Sequence, residues 1–217
     1  MFDMAMARKM MVDGQIRPVN ITNLDLIGTM LAVPRELFVP KRNVGQAYLD
    51  CEVAIGEGRA LLRPTAVAKL IQAAEISAGD RVLDVGCGTG YTAAVVVKLA
   101  GSVVALEEDP ALAQQAKEAL AAAGAASVVV ASGPLAAGWP AGAPYDVILL
   151  DGATEVVPDS LASQLKPNGR IAAVVGGRPL GKGTVYRLVE GRLVGRPFFD
   201  AAAPLLPGFA APAAFVF

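Results

Sequence analysis

The chain has 217 residues, a hydrophobic content of 54% and a net charge of −1, which suffices for one α/β domain with a full core and excludes the broad basic field of a nucleic-acid-binding protein. Histidine is absent, which removes the commonest general base, the commonest metal ligand and any Ser-His or Cys-His catalytic pair. The two cysteines, Cys51 and Cys87, form no metal-binding pattern and are predicted to be reduced and unpaired.

Helical and extended patterns alternate along the chain. Helices are predicted at 1–31 with a break near Pro18 and a new N-cap at Asn23, at 65–74, at 110–120 with Asp109 as N-cap, and at 158–164. Strands are predicted at 82–85, 102–107, 128–131, 145–150 and 171–175, followed by a hairpin of 184–189 with 192–197. Residues 33–58 are rich in proline and glycine and are predicted to be irregular. The alternation predicts an α/β fold with a doubly wound, mostly parallel sheet of the Rossmann-like type.

Two stretches, 119–145 and 201–217, carry no charged residue. The first is largely alanine and is interrupted by glycine and proline, and the second is short and contains prolines. Neither therefore has the roughly 20 strongly apolar residues of a membrane span. The N-terminus shows no signal-peptide pattern. We expect a cytoplasmic protein with no membrane or nucleic-acid partner.

The most informative segment, residues 82–97, has the order strand, tight turn and helix. Three glycines at alternate positions, Gly86, Gly88 and Gly90, permit positive φ and let a ligand approach the backbone closely. The free N–H groups of the helix that follows would face that ligand. A dinucleotide-binding loop would carry its third glycine where Tyr91 stands, so this spacing disfavours a nicotinamide-dependent oxidoreductase.

Two acids indicate the ligand. Asp84 precedes the first glycine, where a carboxylate would repel a pyrophosphate and attract an ammonium or a sulfonium group. Glu107 ends the next strand, roughly 20 residues after the loop, where an acid can accept both hydroxyls of a ribose. A cationic ligand with a ribose and no pyrophosphate describes S-adenosyl-L-methionine. The alternative is a glycine-rich corner that binds nothing. The ligand interpretation requires that, in crystals soaked with this nucleoside, no side chain fills the corner and Glu107 faces it.

The run Val-Leu-Asp-Val-Gly-Cys-Gly-Thr-Gly resembles the first motif of the class I methyltransferases. The resemblance and the two acids together assign cofactor binding to a set of residues around the loop and the ends of the next two strands. They are Asp84, Gly86, Cys87, Gly88, Gly90, Glu107, Ser132 and Gly133.

Three segments ahead of the loop, 33–40, 47–50 and 55–58, resemble the protein-L-isoaspartate O-methyltransferase family. Val-Pro-Arg-Glu-Leu-Phe-Val-Pro at 33–40 is the most specific of them. The resemblance also includes Gly-Trp-Pro, Ala-Pro-Tyr-Asp-Val-Ile and Gln-Leu-Lys-Pro-Asn-Gly-Arg further on, and it thins after about Gly176. It implies carboxyl methylation in the repair of damaged proteins, with an isoaspartate-containing protein or peptide as the acceptor.

The chain departs from the family pattern at three places. Arg59–Pro64 stands where the family has Gln-Thr-x-Ser-Gln-Pro, whose serine helps to position the acceptor carboxylate. Leu62 falls at the serine and Arg63 at the following glutamine. Ala-Ser-Gly at 131–133 replaces Gly-Asp-Gly, whose acid lies on the adenine side. Asp151 stands where the family tends to have threonine.

The replacements supply candidate catalytic residues. Arg63 and Arg59 offer guanidinium groups that could bind an acidic acceptor, although both could equally be solvated loop charges. Asp151 is expected at the carboxyl end of a strand, either as a general base or acceptor-orienting group, or as the cap of a turn. Tyr48 and Trp139 are expected to be packing residues rather than substrate platforms.

We expect one methyltransferase domain over 1–217, with an N-terminal cap at 1–64, a cofactor-binding core at 65–176 and a β-rich end at 177–217. A carboxylate acceptor has a pKa near 4 and needs no base, so the lack of histidine favours carboxyl methylation. Three functions stay open: isoaspartate repair, methyl transfer to another small-molecule or protein acceptor, and a non-catalytic cofactor-binding homologue.

Overall fold

The computed structural model describes residues 3–176 and 179–212 and contains a seven-stranded sheet with helices on both faces. The helices are α1 (Met4–Met11), α2 (Leu24–Ala32), α3 (Pro64–Ala73), α4 (Tyr91–Val96), α5 (Pro110–Ala122) and α6 (Asp159–Ala162). The strands are β1 (Val53–Gly56), β2 (Arg59–Leu61), β3 (Arg81–Val85), β4 (Ser102–Glu107), β5 (Val129–Ser132), β6 (Tyr145–Thr154), β7 (Leu165–Val175), β8 (Gly181–Val189) and β9 (Arg192–Ala201). Within the described residues, no helix is long and apolar enough to cross a membrane.

The large sheet has the strand order β5-β4-β3-β6-β7-β8-β9. Strands β3 to β7 are parallel to one another, whereas β8 pairs antiparallel with β7, and β9 with β8. The predicted doubly wound, mostly parallel sheet is therefore confirmed. The chain leaves β3 to build β4 and β5 on one side and returns to build β6 on the other. Such a reversal opens a crevice at the carboxyl ends of the strands.

The central strands bury both faces of the sheet. Val82 and Val103 belong to the hydrophobic cluster that includes the N-terminal helices, α3, α4 and α5. Leu83 and Val104, their neighbours along the strands, belong to the cluster on the opposite face. Because successive side chains of a strand point to opposite faces, continuous apolar runs such as these are typical of parallel strands covered by helices on both sides.

The predicted helix over 1–31 is divided into several pieces. After α1 the chain makes a π-helical turn at Val12–Ile16 and a 3-10 turn at Arg17–Val19, and α2 then begins behind its N-cap. The side chain of Asn23 accepts a hydrogen bond from the N–H of Leu26, so the predicted N-cap is confirmed. Asp109 likewise caps α5 as predicted. The first two residues of the predicted helix lie outside the described part of the chain.

Several strand predictions differ from the structure, and two strands begin earlier than predicted, β7 at Leu165 and β8 at Gly181. The supposedly irregular region contains the antiparallel hairpin of β1 with β2, whose strands are too short to give a periodic signal. The strand predicted to end at Leu150 continues to Thr154, and the predicted hairpin strand 192–197 continues to Ala201. In β6 the pairing with β7 is irregular between Leu149 and Ala153, which lets the strand carry extra residues beyond its apolar run.

A fully buried arginine ties the N-terminal region to the loop before α3. The Nε of Arg35 donates to the carbonyl of Ala47 at 2.8 Å, and its Nη2 donates to the carbonyl of Leu62 at 2.6 Å. Its guanidinium lies over the ring of Tyr91, 4.5 Å from the centroid. Burial lowers the pKa of Arg35, while the nearby charges of Tyr91 and Asp151 favour the cation. This one side chain therefore fixes the backbone of the loop that carries the family's serine position.

We predict that Arg35→Ala lowers the free energy of unfolding by at least about 3 kcal/mol, because it leaves two buried carbonyl groups without donors. Urea denaturation followed by circular dichroism measures the change. The matched control is Arg42→Ala, which removes an exposed arginine from the same region and should cost less than about 0.5 kcal/mol. A loss below about 1 kcal/mol for Arg35→Ala would contradict this role.

Candidate cofactor and acceptor site

The carboxyl ends of β3, β4 and β6 bring three acids together. Asp84 pairs in register with Ala105 of β4 and with Leu149 of β6, so the strands end level with one another. Glu107 ends β4, and Asp151 follows the apolar part of β6. All three carboxyl groups are buried; the charges of Asp151 and Glu107 raise the pKa of Asp84, and the charge of Glu107 raises the pKa of Asp151. The site therefore lies in the crevice where the strand order reverses.

The loop after β3 forms a tight corner. Gly86, Gly88 and Gly90 have φ values of 75°, 56° and 93°, which L-residues rarely adopt. The N–H groups of Gly86 and Cys87 donate to the carbonyl of Leu106 at 2.9 and 3.1 Å, which holds the corner against β4. Burial raises the pKa of the Cys87 thiol well above its usual value. This residue therefore acts as a small buried side chain within the turn.

Asp84 is the most unusual charged group in the site. Its side chain is fully buried, and neither carboxylate oxygen accepts a hydrogen bond of good geometry from the described residues; only the nearby backbone N–H of Ala93 and the charge of Arg59 favour its ionised form. Burial raises its pKa well above the ordinary value, and the negative charges of Asp151 and Glu107 raise it further. A buried carboxylate without a partner is costly unless a cation or a donor is supplied. The position is thus suited to the positive end of a ligand.

The second predicted acid, Glu107, faces the corner but has several protein partners. Its carboxylate accepts two hydrogen bonds from the guanidinium of Arg59, at 2.7 and 2.8 Å, and one from the N–H of Gly88 at 2.8 Å. Arg59 also donates to the carbonyl of Gly86 at 3.0 Å. The alternative that Arg59 is a solvated loop charge is therefore wrong, because its guanidinium is buried and its charge is neutralised by Glu107; binding of an acceptor by Arg59 stays a prediction.

Side chains also lie against the glycine corner. A Cβ atom placed on Gly86 would be 2.8 Å from Cδ2 of Leu206, and one placed on Gly152 would be 2.6 Å from the same atom. A Cβ atom on Gly88 would be 2.5 Å from Cδ1 of Ile55. Neighbouring side chains thus fill the space that side chains at these glycine positions would need. Leu206 and Arg59 both lie against Gly86, on the corner where the sequence interpretation places a ligand.

Asp151 lies within β6, in the irregular stretch between Leu149 and Ala153. The alternative that it caps a turn is wrong, because the strand continues beyond it. Burial raises the pKa of Asp151 to about 6, while a hydrogen bond from the Thr92 side chain and the charge of Arg35 oppose the rise. A carboxyl group with this pKa can gain or lose a proton near neutrality, which is the property expected of a general acid or base.

The remaining predicted residues lie around this centre. Arg63 is half-buried at the start of α3, and its Nε is buried and has no hydrogen-bond partner among the residues that the structure describes. Ser132 pairs with Glu107 in register, and the N–H of Gly133 donates to the Glu107 carbonyl at 3.3 Å, so both lie at the end of β5 beside that acid. A Cβ atom on Gly133 would be 3.6 Å from the ring of Trp139.

The two aromatic residues pack as expected. Trp139 packs against the second hydrophobic cluster, and its backbone N–H donates a hydrogen bond to the side-chain oxygen Oε1 of Gln164 at 2.8 Å. Tyr48 is buried in the first cluster and donates its hydroxyl to Glu36, while Arg8 donates to that hydroxyl at 2.9 Å.

Sequence reasoning missed Arg35 and Leu206, and it missed the partner of Arg59. Arg35 lies in the run Val-Pro-Arg-Glu-Leu-Phe-Val-Pro, whose specificity was the only available signal for it. Arg59 was noticed as a departure, but its partner is far away in the sequence. Leu206 lies in the apolar tail after Ala201, and composition gave no indication of which of its residues would reach the site.

A glycine corner after the first strand of a parallel sheet, with an acid closing the next strand, defines the Rossmann-like class I methyltransferases, and this fold and site belong to that class. Among solved structures, one titled protein-L-isoaspartate O-methyltransferase superposes with a TM-score of 0.81 at 23% identity, over 93% of this chain and 66% of that chain. A Plasmodium falciparum protein assigned to the same enzyme type, solved with S-adenosyl-L-homocysteine, has a TM-score of 0.77 at 18% identity, over 92% and 97%. These likenesses establish the fold.

The sequence comparisons establish the family. The family model described as protein-L-isoaspartate(D-aspartate) O-methyltransferase matches residues 6–186. The protein-L-isoaspartate O-methyltransferase of Methylorubrum extorquens is 41% identical over 95% of this chain and 91% of its own length. That of Ignicoccus hospitalis is 37% identical over 92% and 94%. The chain belongs to the protein-L-isoaspartate(D-aspartate) O-methyltransferase family.

The raised pKa of Asp151 predicts a pH-dependent stability. The folded state holds the proton up to about pH 6, whereas the unfolded chain loses it near 3.8. The stabilisation is therefore complete below pH 3.8 and is lost as pH rises through 6. Relative to wild type, Asp151→Asn should gain up to about 3 kcal/mol between pH 4 and pH 8.

Urea denaturation at several pH values measures this gain. Glu57→Gln, which neutralises an exposed acid, is the control and should show no comparable trend. Parallel pH profiles for wild type and Asp151→Asn would refute the assignment.

Proposed function

We propose that this protein is an S-adenosyl-L-methionine-dependent methyltransferase whose acceptor is the carboxylate of an isoaspartate-containing protein or peptide. The observation that carries the proposal is the buried, unpartnered carboxylate of Asp84 beside a corner of three positive-φ glycines. Family membership supports the same activity.

The residues present fit the cofactor. Asp84 would hold a positive group, and Glu107 would hold the ribose hydroxyls once Arg59 releases it. Ser132 and Gly133, at the end of β5, would face the adenine side. When bound, S-adenosyl-L-methionine supplies an electrophilic methyl group. The protein then has to align the acceptor and exclude water, and alignment alone can lower the barrier by several kcal/mol.

The acceptor side differs from the family pattern. A carboxylate needs no general base because it is ionised at neutral pH. Recognition requires a donor or a cation instead, and Arg63 has an Nε that is buried without a partner at the position following Leu62. We therefore assign acceptor binding to Arg63. Asp151, with its pKa near 6, would orient the acceptor or take a proton from a different one.

One observation favours a second candidate, which is methyl transfer to another acceptor. Leu62 replaces the family's serine, its side chain is 1% exposed, and its carbonyl is held by Arg35. This position therefore offers no hydroxyl to an isoaspartyl carboxylate. If the acceptor carries a hydroxyl, Asp151, with its pKa of about 6, is the candidate for its base.

The Asp84 assignment predicts that cofactor binding weakens as pH falls. A cationic ligand favours the Asp84 carboxylate, whose pKa is raised by burial, so binding below that pKa must release a proton. Calorimetry between pH 6 and 8, in buffers of different ionisation enthalpy, measures both affinity and proton release. Asp84→Asn should bind at least about tenfold more weakly at pH 8 and lose most of the pH dependence. Affinity of Asp84→Asn equal to wild type would refute the assignment.

The test of the function is labelled methyl transfer to an isoaspartyl peptide, with the aspartyl peptide of the same sequence as control. We expect transfer only to the former, giving a base-labile ester. Binding of the cofactor without transfer would favour the second candidate, and no binding at all would exclude both.

Arg63→Ala should reduce transfer by about 10- to 100-fold, because a charge-assisted hydrogen bond to the acceptor is lost, and should leave cofactor affinity unchanged. Arg42→Ala, an exposed arginine in the same N-terminal region, should leave both unchanged. Undiminished turnover in Arg63→Ala would show that Arg63 does not bind the acceptor.

A further inference from the structure

The segment after β9, residues 202–212, folds back along the carboxyl end of β6. The N–H of Leu206 donates to the carbonyl of Ala153 at 2.9 Å, and the N–H of Glu155 donates to the carbonyl of Phe209 at 2.9 Å. Phe209 is fully buried in the second hydrophobic cluster and anchors the segment. The segment thus joins the edge of the sheet that carries the proposed site.

Leu206 is the residue of this segment that enters the site. Its side chain is 3% exposed, although the neighbouring Leu205 is 36% exposed. The close approach to Gly86 and Gly152 places its methyl groups against the backbone that a nucleoside would approach. Burying a leucine here removes apolar surface from water, so the contact stabilises the position of the segment.

Arg59, the first residue of β2, lies against the same corner. Its guanidinium takes both oxygens of Glu107 and the carbonyl of Gly86, the groups nearest to the proposed ribose position. The ion pair and the leucine are thus both in the way of a ligand that would use Glu107 and the glycine backbone. They come from β2 and from the C-terminal segment, which meet only in the folded protein.

We infer that Leu206 and Arg59 form a latch over the cofactor corner, closed in this structure. Leu206 withdraws and Arg59 releases Glu107 when the site takes up S-adenosyl-L-methionine. The inference rests on the proposed cofactor. The opposing assignment is a fixed wall, in which Leu206 stays in place and contacts the bound nucleoside. The two differ in sign: removing a latch strengthens binding, whereas removing a wall weakens it.

The first test measures the affinity for S-adenosyl-L-homocysteine by calorimetry with the full chain. Only open molecules bind the ligand, so the apparent Kd equals the intrinsic Kd divided by the open fraction. Leu206→Ala should increase the open fraction and therefore bind about fivefold or more tightly than wild type. Leu205→Ala, a change of the same size on the exposed neighbour, should bind like wild type. Equal or weaker binding by Leu206→Ala would overturn the latch.

Arg59→Gln tests the second group of the latch. Without the guanidinium, Glu107 keeps the N–H donors of Gly88, Glu108 and Asp109 and becomes accessible to a ribose. Binding of S-adenosyl-L-homocysteine should again be tighter than in wild type. Weaker binding would mean that Arg59 holds Glu107 in place for the ligand instead of competing with it.

The third test uses wild-type protein and does not depend on a variant that folds. Hydrogen exchange at the amide of Leu206 should become faster when S-adenosyl-L-homocysteine binds, because withdrawal breaks its bond to Ala153. A wall predicts slower exchange, and that result would overturn the latch. If neither wild type nor Leu206→Ala binds the ligand, the proposed function fails and the latch with it. If wild type binds and Leu206→Ala does not bind more tightly, only the latch fails.

Discussion

The bidentate ion pair between Arg59 and Glu107 is the contact on which the closed arrangement of the site depends in this structure. It joins the β1–β2 hairpin to the end of β4, and the same carboxylate holds the N–H of Gly88 in the glycine corner. Removing two charges from water is expensive, and the cost is offset only where geometry is good and the remaining lone pairs are used. Glu107 meets both conditions, since the N–H groups of Glu108 and Asp109 complete its shell. The Glu107 carboxylate thereby joins the β1–β2 hairpin, the glycine corner and the residues just before α5.

The charge balance around this pair explains the selectivity of the site. Asp84, Glu107 and Asp151 converge on Arg59 and Arg35, so carboxyl groups outnumber guanidinium groups, and burial strengthens each interaction. Glu107 is neutralised by its partner, whereas Asp84 has none and Asp151 has a pKa of about 6. The uncompensated acidity is concentrated at Asp84, next to the glycine backbone. A cationic nucleoside relieves that deficit, and an anionic dinucleotide would increase it.

The loop before α3 keeps the family fold although its side chains depart from the family pattern. Arg35 holds the carbonyl of Leu62, and this bond depends on the backbone alone. The loop can therefore keep its path when leucine replaces serine. Arg63 then places a guanidinium at the start of α3, where the family has an uncharged amide. Scaffold and acceptor recognition are separable here because one rests on backbone contacts and the other on exchangeable side chains.

Local pattern in the sequence determined the order of strands and helices, the caps at Asn23 and Asp109, and the meeting of Asp84 with Glu107. These follow from hydrophobic periodicity and from the fact that parallel strands end at one edge of the sheet. Only the tertiary structure decided that Arg59 pairs with Glu107 across a separation of 48 residues, and that Leu206 reaches the glycine corner. Such contacts depend on how distant segments pack against each other, and neither composition nor spacing encodes which of many charged or apolar side chains will meet.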